Sequence, residues 1–358
     1  MSTLEKIDPD FSLTKHPRGY YCKRILGRLH YFGKRNATKY EALRDYEAKR
    51  PYLEVGVEPP QFGGVRLEEA LDRFLVAKEK RMKAAELSKR IFEEYKKQCE
   101  RILVVISRQR NITSLLPSDF DRLFASFKGT PKTIEGYVTR SKVAFKWEEK
   151  DQGIKFKYGD HFRKPSAKRL RLHRSSQPKR LFEPAALREF VRIAGPKIKA
   201  MILLGINCGF GNEDCATLTI EKLDLKNGWH DHGRPKTGVD RRAKLWSDTL
   251  DALRVVVRDR NKGLVFITKY GNSWTDGNKT SPIGQEFKKL ARKLDSQRTF
   301  YDLRRTFQTI GDNSKDPVAV KAIMGHVDPL MSGVYRQLVP VDRLEAEASV
   351  VHQWLKGT

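Results

Sequence analysis

Three side chains of complementary chemistry follow one another near the end of the chain: Arg304, then His326 directly after Gly325, then Tyr335 nine residues beyond the histidine. An arginine can grip two non-bridging phosphate oxygens with parallel hydrogen bonds. A histidine can donate to the phosphate or shuttle a proton near neutral pH. A tyrosine phenol can attack phosphorus and hold it as a covalent ester. Taken singly, each has an ordinary reading: a packing tyrosine, a surface or salt-bridge arginine, a helix-end histidine. Together, in this order, they suit attack on a phosphodiester by a phenol oxygen.

Such a site needs rigid elements around it. Asp302 to Ile310 reads as the helix that fixes Arg304. Asp316-Pro317 caps a helix from Val318 to Met324, and Gly325 ends it and presents His326. Val334-Tyr335 is placed on a short helix, and a closing helix runs from Val341 to Leu355. Upstream, Phe182-Glu183-Pro184 opens a helix, and Lys199 to Gly209 is a buried apolar one. Gly228 to Leu245 reads as two or three short strands with turns at Gly233 and Thr237-Gly238. Arg234 and Lys236 are then one strand repeat apart and face the same way. Trp246-Ser247-Asp248 starts a helix, Leu264 to Ile267 is a short buried strand, and Gly284 to Leu294 is another helix.

The segment around these residues resembles the catalytic core of the tyrosine recombinases, the phage integrase family. Tyr301-Asp302-Leu303-Arg304-Arg305 stands at the second arginine box, Met324-Gly325-His326 at Leu-Gly-His, and Tyr335 at the nucleophile. Lys236-Thr237-Gly238 matches the β-hairpin lysine. Gly209-Phe210-Gly211-Asn212-Glu213-Asp214 resembles the first box, with Gly211 where the box arginine would fall. The resemblance implies that Tyr335 forms a 3′-phosphotyrosyl link, that Arg304 and His326 stabilise the phosphoryl oxygens, and that Lys236 protonates the departing 5′ oxygen. Tyr301 would donate a hydrogen bond where the family has histidine. The cation missing at Gly211 is expected from Arg234 or, second, Arg305. No cofactor and no metal is expected, since cations of the chain serve the transferring phosphoryl.

The whole composition agrees with a polyanionic partner. The 358 residues carry 71 Lys and Arg against 44 Asp and Glu, a formal charge of +27. That excess favours DNA, RNA or an anionic surface. No apolar run is long enough to span a bilayer, and the start MSTLEKIDPD is not a signal peptide. A cytoplasmic protein acting on DNA, without a membrane, is expected. Cys22, Cys99, Cys208 and Cys215 are scattered and read as reduced thiols, neither zinc ligands nor a disulfide framework.

Four segments are expected. Residues 1–60 read as a small β-rich module, with strands Tyr20–Ile25 and Arg28–Gly33 around a Leu26-Gly27 turn and a helix from Lys39 to about Ala48. Lys23, Arg24 and Arg28, beside Tyr20, Tyr21 and Tyr31, are its expected DNA-facing side. Pro59-Pro60 and Gly63-Gly64 mark a junction. Residues 61–152 read as four helices, one opened by Pro117 with Ser118 or Asp119 as N-cap, and the last opened by Thr130-Pro131. Lys132, Arg140, Lys142 and Lys146 stud that last helix. Residues 153–180 read as an extended basic linker; Lys155 to Arg180 holds ten Lys or Arg against one acidic residue. Lys168, Arg169 and Arg171 in it would lie on DNA phosphates. Residues 181–358 form the domain with the reactive residues.

The fold class expected is mainly α with small β elements: a β-rich arm-like module, a helical core-binding domain and a mixed α+β catalytic domain. The function expected is a site-specific DNA recombinase or integrase of a mobile element, with double-stranded DNA as partner and, when active, a homo-tetramer on two duplexes. The alternatives are an inactive relative that binds DNA as a regulator or architectural factor, and a topoisomerase-like relaxing enzyme.

Overall fold

The computed structural model describes residues 5–6, 12–57, 59, 65–275, 281–328 and 336–357. The chain divides into two compact units, 1–177 and 178–358.

The first unit opens with a four-stranded antiparallel sheet, β1 (Glu5–Lys6), β2 (Thr14–Lys15), β3 (Tyr21–Ile25) and β4 (Arg28–Phe32), in that order. β3 and β4 form the expected hairpin, with Ile25 opposite Arg28. Leu26 and Gly27 both take positive φ, the geometry that a two-residue turn between twisted strands requires. Thr38 and Glu41 cap helix α1 (Lys39–Leu53) reciprocally, and Phe32 packs edge-on against its Tyr46. The strand period corrects one expectation. Lys23 shares a face with Tyr21 and Ile25, both buried. Its ammonium therefore emerges at Tyr46, bonded to the hydroxyl at 2.9 Å and lying over the ring. Tyr21 is likewise core, not surface.

Four helices follow: α2 (Leu67–Lys83), α3 (Lys89–Ile106), α4 (Pro117–Ala125) and α5 (Pro131–Gln152). They close on Phe74, Ile102, Phe120 and Phe145. Thr130 caps α5 as expected, whereas α4 has Leu116 at its N-cap position. Pro117 occupies the first helical position, where its missing N–H costs nothing, and the Asp119 carboxylate accepts from the Leu116 N–H at 2.9 Å. The expected extended linker is also corrected. Phe156, Tyr158 and Phe162 pack on the bundle core, and Ser166 caps a helix, α6 (Ala167–Ser175). Aromatic residues anchor the first half, and a helix with a good cap replaces extended chain in the second.

The second unit holds α7 (Pro184–Ile193), α8 (Pro196–Asn207), α9 (Asn212–Thr217), β5 (Leu223–Asp224), β6 (Trp229–His230), β7 (Ala243–Lys244), α10 (Ser247–Val257), α11 (Pro282–Lys293), α12 (Phe300–Gly311), α13 (Pro317–Met324) and α14 (Val341–Lys356). The strands make a small antiparallel sheet in the order β5-β6-β7. Buried α8 is its spine. A Cβ on Gly205 would stand 2.8 Å from Leu303 Cδ1, so glycine lets α8 and α12 approach closely. Helix α14 docks on α7, α8, α12 and α13 of its own unit, and Trp246 donates its indole N–H to the Ala348 carbonyl at 2.9 Å. Leu264 to Ile267 is not a strand: single bridges pair Thr219 with Leu264 and Ile267 with Ser273, while Val265 and Phe266 are core. The molecule is thus mainly α with small β elements: a β-rich module, a helical bundle and a mixed α+β domain. Among the described residues, no helix is long and apolar enough to cross a membrane, and all four cysteines are buried and unpaired.

Candidate active site

The site is built where α12 crosses the C-terminal end of α13. Asp302, at the third position of α12, accepts from the Thr299 N–H at 2.8 Å and fixes the helix start. Arg304 then projects inward, 3% exposed. Its guanidinium donates to the carbonyls of Gly209 and Met324, the latter at 2.7 Å, and to His326 Nε2 at 3.0 Å. A guanidinium only donates, so Nε2 accepts and the neutral ring carries its proton on Nδ1. Gly325, in the left-handed conformation at φ 61°, turns the chain out of α13 and swings His326 toward Arg304.

Arg304 forms no ion pair among the described residues. Burial, then the charge of Arg234, lowers its pKa to about 10. Burial and the neighbouring Arg304 and Arg234 hold His326 down at about 4. Arg234 sits at the edge of this group, with Nη1 3.3 Å from the Gly325 carbonyl, and Thr237 Oγ1 donates to the same oxygen at 3.2 Å. The loop that carries Lys236 is therefore pinned next to His326. Lys236 itself is exposed at the tip. This corrects the strand expectation: the Gly238 and Thr237 N–H groups both bond the Arg234 carbonyl, and the Arg234 N–H bonds Val239. Pro235 has no N–H for a ladder and Gly238 adopts positive φ, so the segment closes as a tight turn.

Tyr301, half exposed on the first turn of α12, lines a cavity with Arg304, Arg305, Met324 and His326. Arg305 points outward. It pairs with Asp302 at 3.0 Å and lies over the Tyr301 ring, which sets it apart from the Arg304–Arg234 group. Tyr335 lies outside the described residues; Asp328 and Arg336, on either side of that stretch, are paired at 3.2 Å.

One residue escaped the sequence reading. Arg241, 3% exposed, lies over the Phe210 ring, donates from Nε to the His232 carbonyl at 2.9 Å and pairs with Asp214 Oδ1 at 3.0 Å. The other Asp214 oxygen accepts from the Gly211 N–H at 2.6 Å, which ties the α9 start to this arginine. The signal was Arg241-Arg242 directly ahead of the short strand Ala243–Lys244, beside several more basic residues. Only burial distinguishes it.

The expected DNA-facing residues of the first unit divide by environment. Arg24 and Arg28 are exposed, Arg24 bonding the Gly27 carbonyl at 3.2 Å. On α5, Lys132 pairs with Glu135 and Arg140 with Glu94. Lys142 lies over Tyr158 and Phe162, and burial followed by the charges of Lys146 and Lys164 lowers its pKa. Lys146 is exposed, as are Lys168, Arg169 and Arg171 on α6.

Residues 182–340 match the phage integrase family. No curated protein matches the chain in sequence. Solved structures do match in fold. A fragment of the Tn1549 transposon integrase, solved in complex with circular intermediate DNA, aligns at 17% identity over 79% of this chain and 99% of its own, with a TM-score of 0.58. A lambda integrase dimer bound to a core site aligns at 15% identity over 93% and 96%, TM-score 0.58. A lambda integrase tetramer bound to a Holliday junction aligns at 12% identity over 94% and 100%, TM-score 0.59.

Proposed function

We propose that the chain is a site-specific DNA recombinase that cuts and rejoins double-stranded DNA through a 3′-phosphotyrosyl intermediate. The observation that carries this reading is the buried, unpaired guanidinium of Arg304 beside His326 and Arg234. A buried cation without a counter-ion is costly, and an incoming phosphate supplies the missing anion. The DNA in the similar integrase structures, and the match to the phage integrase family, support DNA as that anion.

In this reading Tyr335 Oη attacks the scissile phosphorus and the bond to the 5′ oxygen breaks. Arg304 and the His326 Nδ1–H hold the non-bridging oxygens, where charge builds in the transition state. Lys236 delivers a proton to the departing 5′ oxygen, and its exposed place on a pinned turn suits that role. The phenol proton leaves to solvent. Tyr301 offers a hydroxyl at the rim. The ester conserves the bond energy, so a 5′ hydroxyl of another strand can reverse the step. Residues 1–60 would serve as an arm-like module, 61–152 as the helical half of a clamp, and 153–180 as a basic connection over phosphates. The lambda tetramer supports a homo-tetramer on two duplexes as the active form, acting on DNA in the cytoplasm.

The test is a nicked duplex from the ends of the encoding element, on which the cut strand escapes and religation fails. Incubation with the chain should yield a protein–DNA adduct on a denaturing gel, absent with Tyr335→Phe. A second reading, an inactive DNA-binding relative, draws on Gly211, which has no side chain for phosphate. Tight salt-sensitive binding to those ends with no adduct would favour it.

A further inference from the structure

We propose that Arg241 supplies the second guanidinium to the scissile phosphate, in place of a side chain at Gly211. This rests on the recombinase reading above. Four observations lead to it. The Arg241 fork is held on two sides, by the His232 carbonyl at Nε and by Asp214 at Nη2. Its Nη1 is buried and has no hydrogen-bond partner among the described residues. The side chain backs directly on the residue before His326: a Cβ on Gly325 would stand 3.1 Å from Arg241 Cδ and 2.9 Å from Arg234 Cβ. Beside Gly211, a Cβ would meet only the Asp214 carboxylate, at 3.3 Å, so space there is open.

The charge pattern points the same way. Arg241, Arg234 and Arg304 act on one another, since Arg234 and Arg241 both lower the pKa of Arg304 and Arg234 lowers that of Arg241. Asp214 is the carboxylate that opposes them, through Arg241 and at longer range through Arg304. Asp214 uses both oxygens, one on Arg241 and one on the Gly211 N–H, and so leaves Nη1 free. A fork fixed at two nitrogens with the third unoccupied is preorganised to receive one oxygen of a tetrahedral anion. Arg234 is a weaker candidate, because it is half-buried and already reaches the Gly325 carbonyl. Arg305 is committed to Asp302 and the Tyr301 ring.

The experiment measures the rate of adduct formation on two nicked duplexes: one with a normal scissile phosphate, mapped with the wild-type chain, and one with a methylphosphonate there. The methylphosphonate lacks one non-bridging charge, so it needs one cation less. The main variant is the double substitution Arg241→Gln with Asp214→Asn, which keeps a hydrogen-bonding pair and buries no lone charge. Expected is a loss of about 100- to 1,000-fold on the phosphate duplex, shrinking to within about tenfold of wild type on the methylphosphonate. Arg241→Lys, which keeps the ion pair and loses the free Nη1, should show the same pattern if the double variant fails to fold. The assignment is overturned if the folded Arg241 variants keep wild-type rates, or if they lose equally on both duplexes, as a merely structural arginine would. A wild-type chain that forms no adduct on either duplex instead removes the recombinase reading.

Discussion

Among single residues, His326 and Arg304 set the chemistry of the site. The histidine is held neutral at about 4, below its ordinary 6.5, by burial and two guanidiniums. Its folded pKa lies below the unfolded one, so lowering the pH from about 6.5 toward 4 protonates the unfolded chain first and erodes stability across that window. An anion seated on the guanidiniums would offset their repulsion and raise this pKa. The expected result is a His326 imidazole signal titrating near 4 in the free protein and moving upward when inorganic phosphate or nicked duplex is added. A titration that ignores both ligands would mean that no anion seats there. Arg304→Ala removes the donor to Gly209, Met324 and His326 together. It should lower adduct formation at least 100-fold, and the conservative Arg304→Lys should not restore it, because a point cation cannot fork.

At the scale of elements, much was written locally. The helices that position Arg304 and His326 carry their own punctuation: Asp302 at the α12 start, Asp316-Pro317 and Gly325 around α13. The β3–β4 hairpin was legible from Leu26-Gly27 between alternating runs. What failed to show depended on distant partners. Nothing near Arg241 announces that Asp214, 27 residues earlier, and the Phe210 ring would bury it. The Arg234–Lys236 segment reads as strand by spacing, closes as a turn at Pro235 and Gly238, and is pinned in place by the Gly325 carbonyl, far along the chain, through Arg234 and Thr237. Likewise Lys23 obeys its strand period, but only the docking of α1 decides which face is inside.

The closing helix supplies a pH test of its own. Glu347 on α14 is fully buried, and burial, partly offset by a hydrogen bond from Ser314, raises its pKa to about 7. Its folded pKa exceeds the unfolded one, so stability should fall as pH rises from about 4.5 to 7. Glu347→Gln should remove that slope and stabilise the protein at pH 8 by about 1–3 kcal/mol, read from thermal unfolding at pH 5 and pH 8. Gly311 faces this carboxyl, and a Cβ there would stand 2.2 Å from Glu347 Oε1. Gly311→Ala should therefore cost about 1–3 kcal/mol by overpacking α12 against α14.

At the scale of the molecule, the net charge of +27 is spread unevenly in its consequences. Several basic residues are engaged within the fold, Arg140 and Lys23 among them, and Lys132 makes an exposed pair with Glu135. Others, such as Lys146, Arg28 and the α6 residues Lys168, Arg169 and Arg171, stand in solvent. Counterion release ties each phosphate contact to the salt dependence of binding. Replacing the three α6 residues with alanine should flatten the slope of log affinity against log salt by about 2–3. An unchanged slope would show that α6 does not touch the backbone of the duplex.

In the proposed reaction Tyr335 becomes covalently joined to DNA. The most direct measurement traps the adduct on a nicked duplex from the element's ends, digests it and locates the nucleotide by mass spectrometry. The expected result is a 3′-phosphate esterified to Tyr335, with no such peptide from Tyr335→Phe. Saturated, salt-sensitive binding with every tyrosine unmodified, or an adduct that persists in Tyr335→Phe, would contradict it.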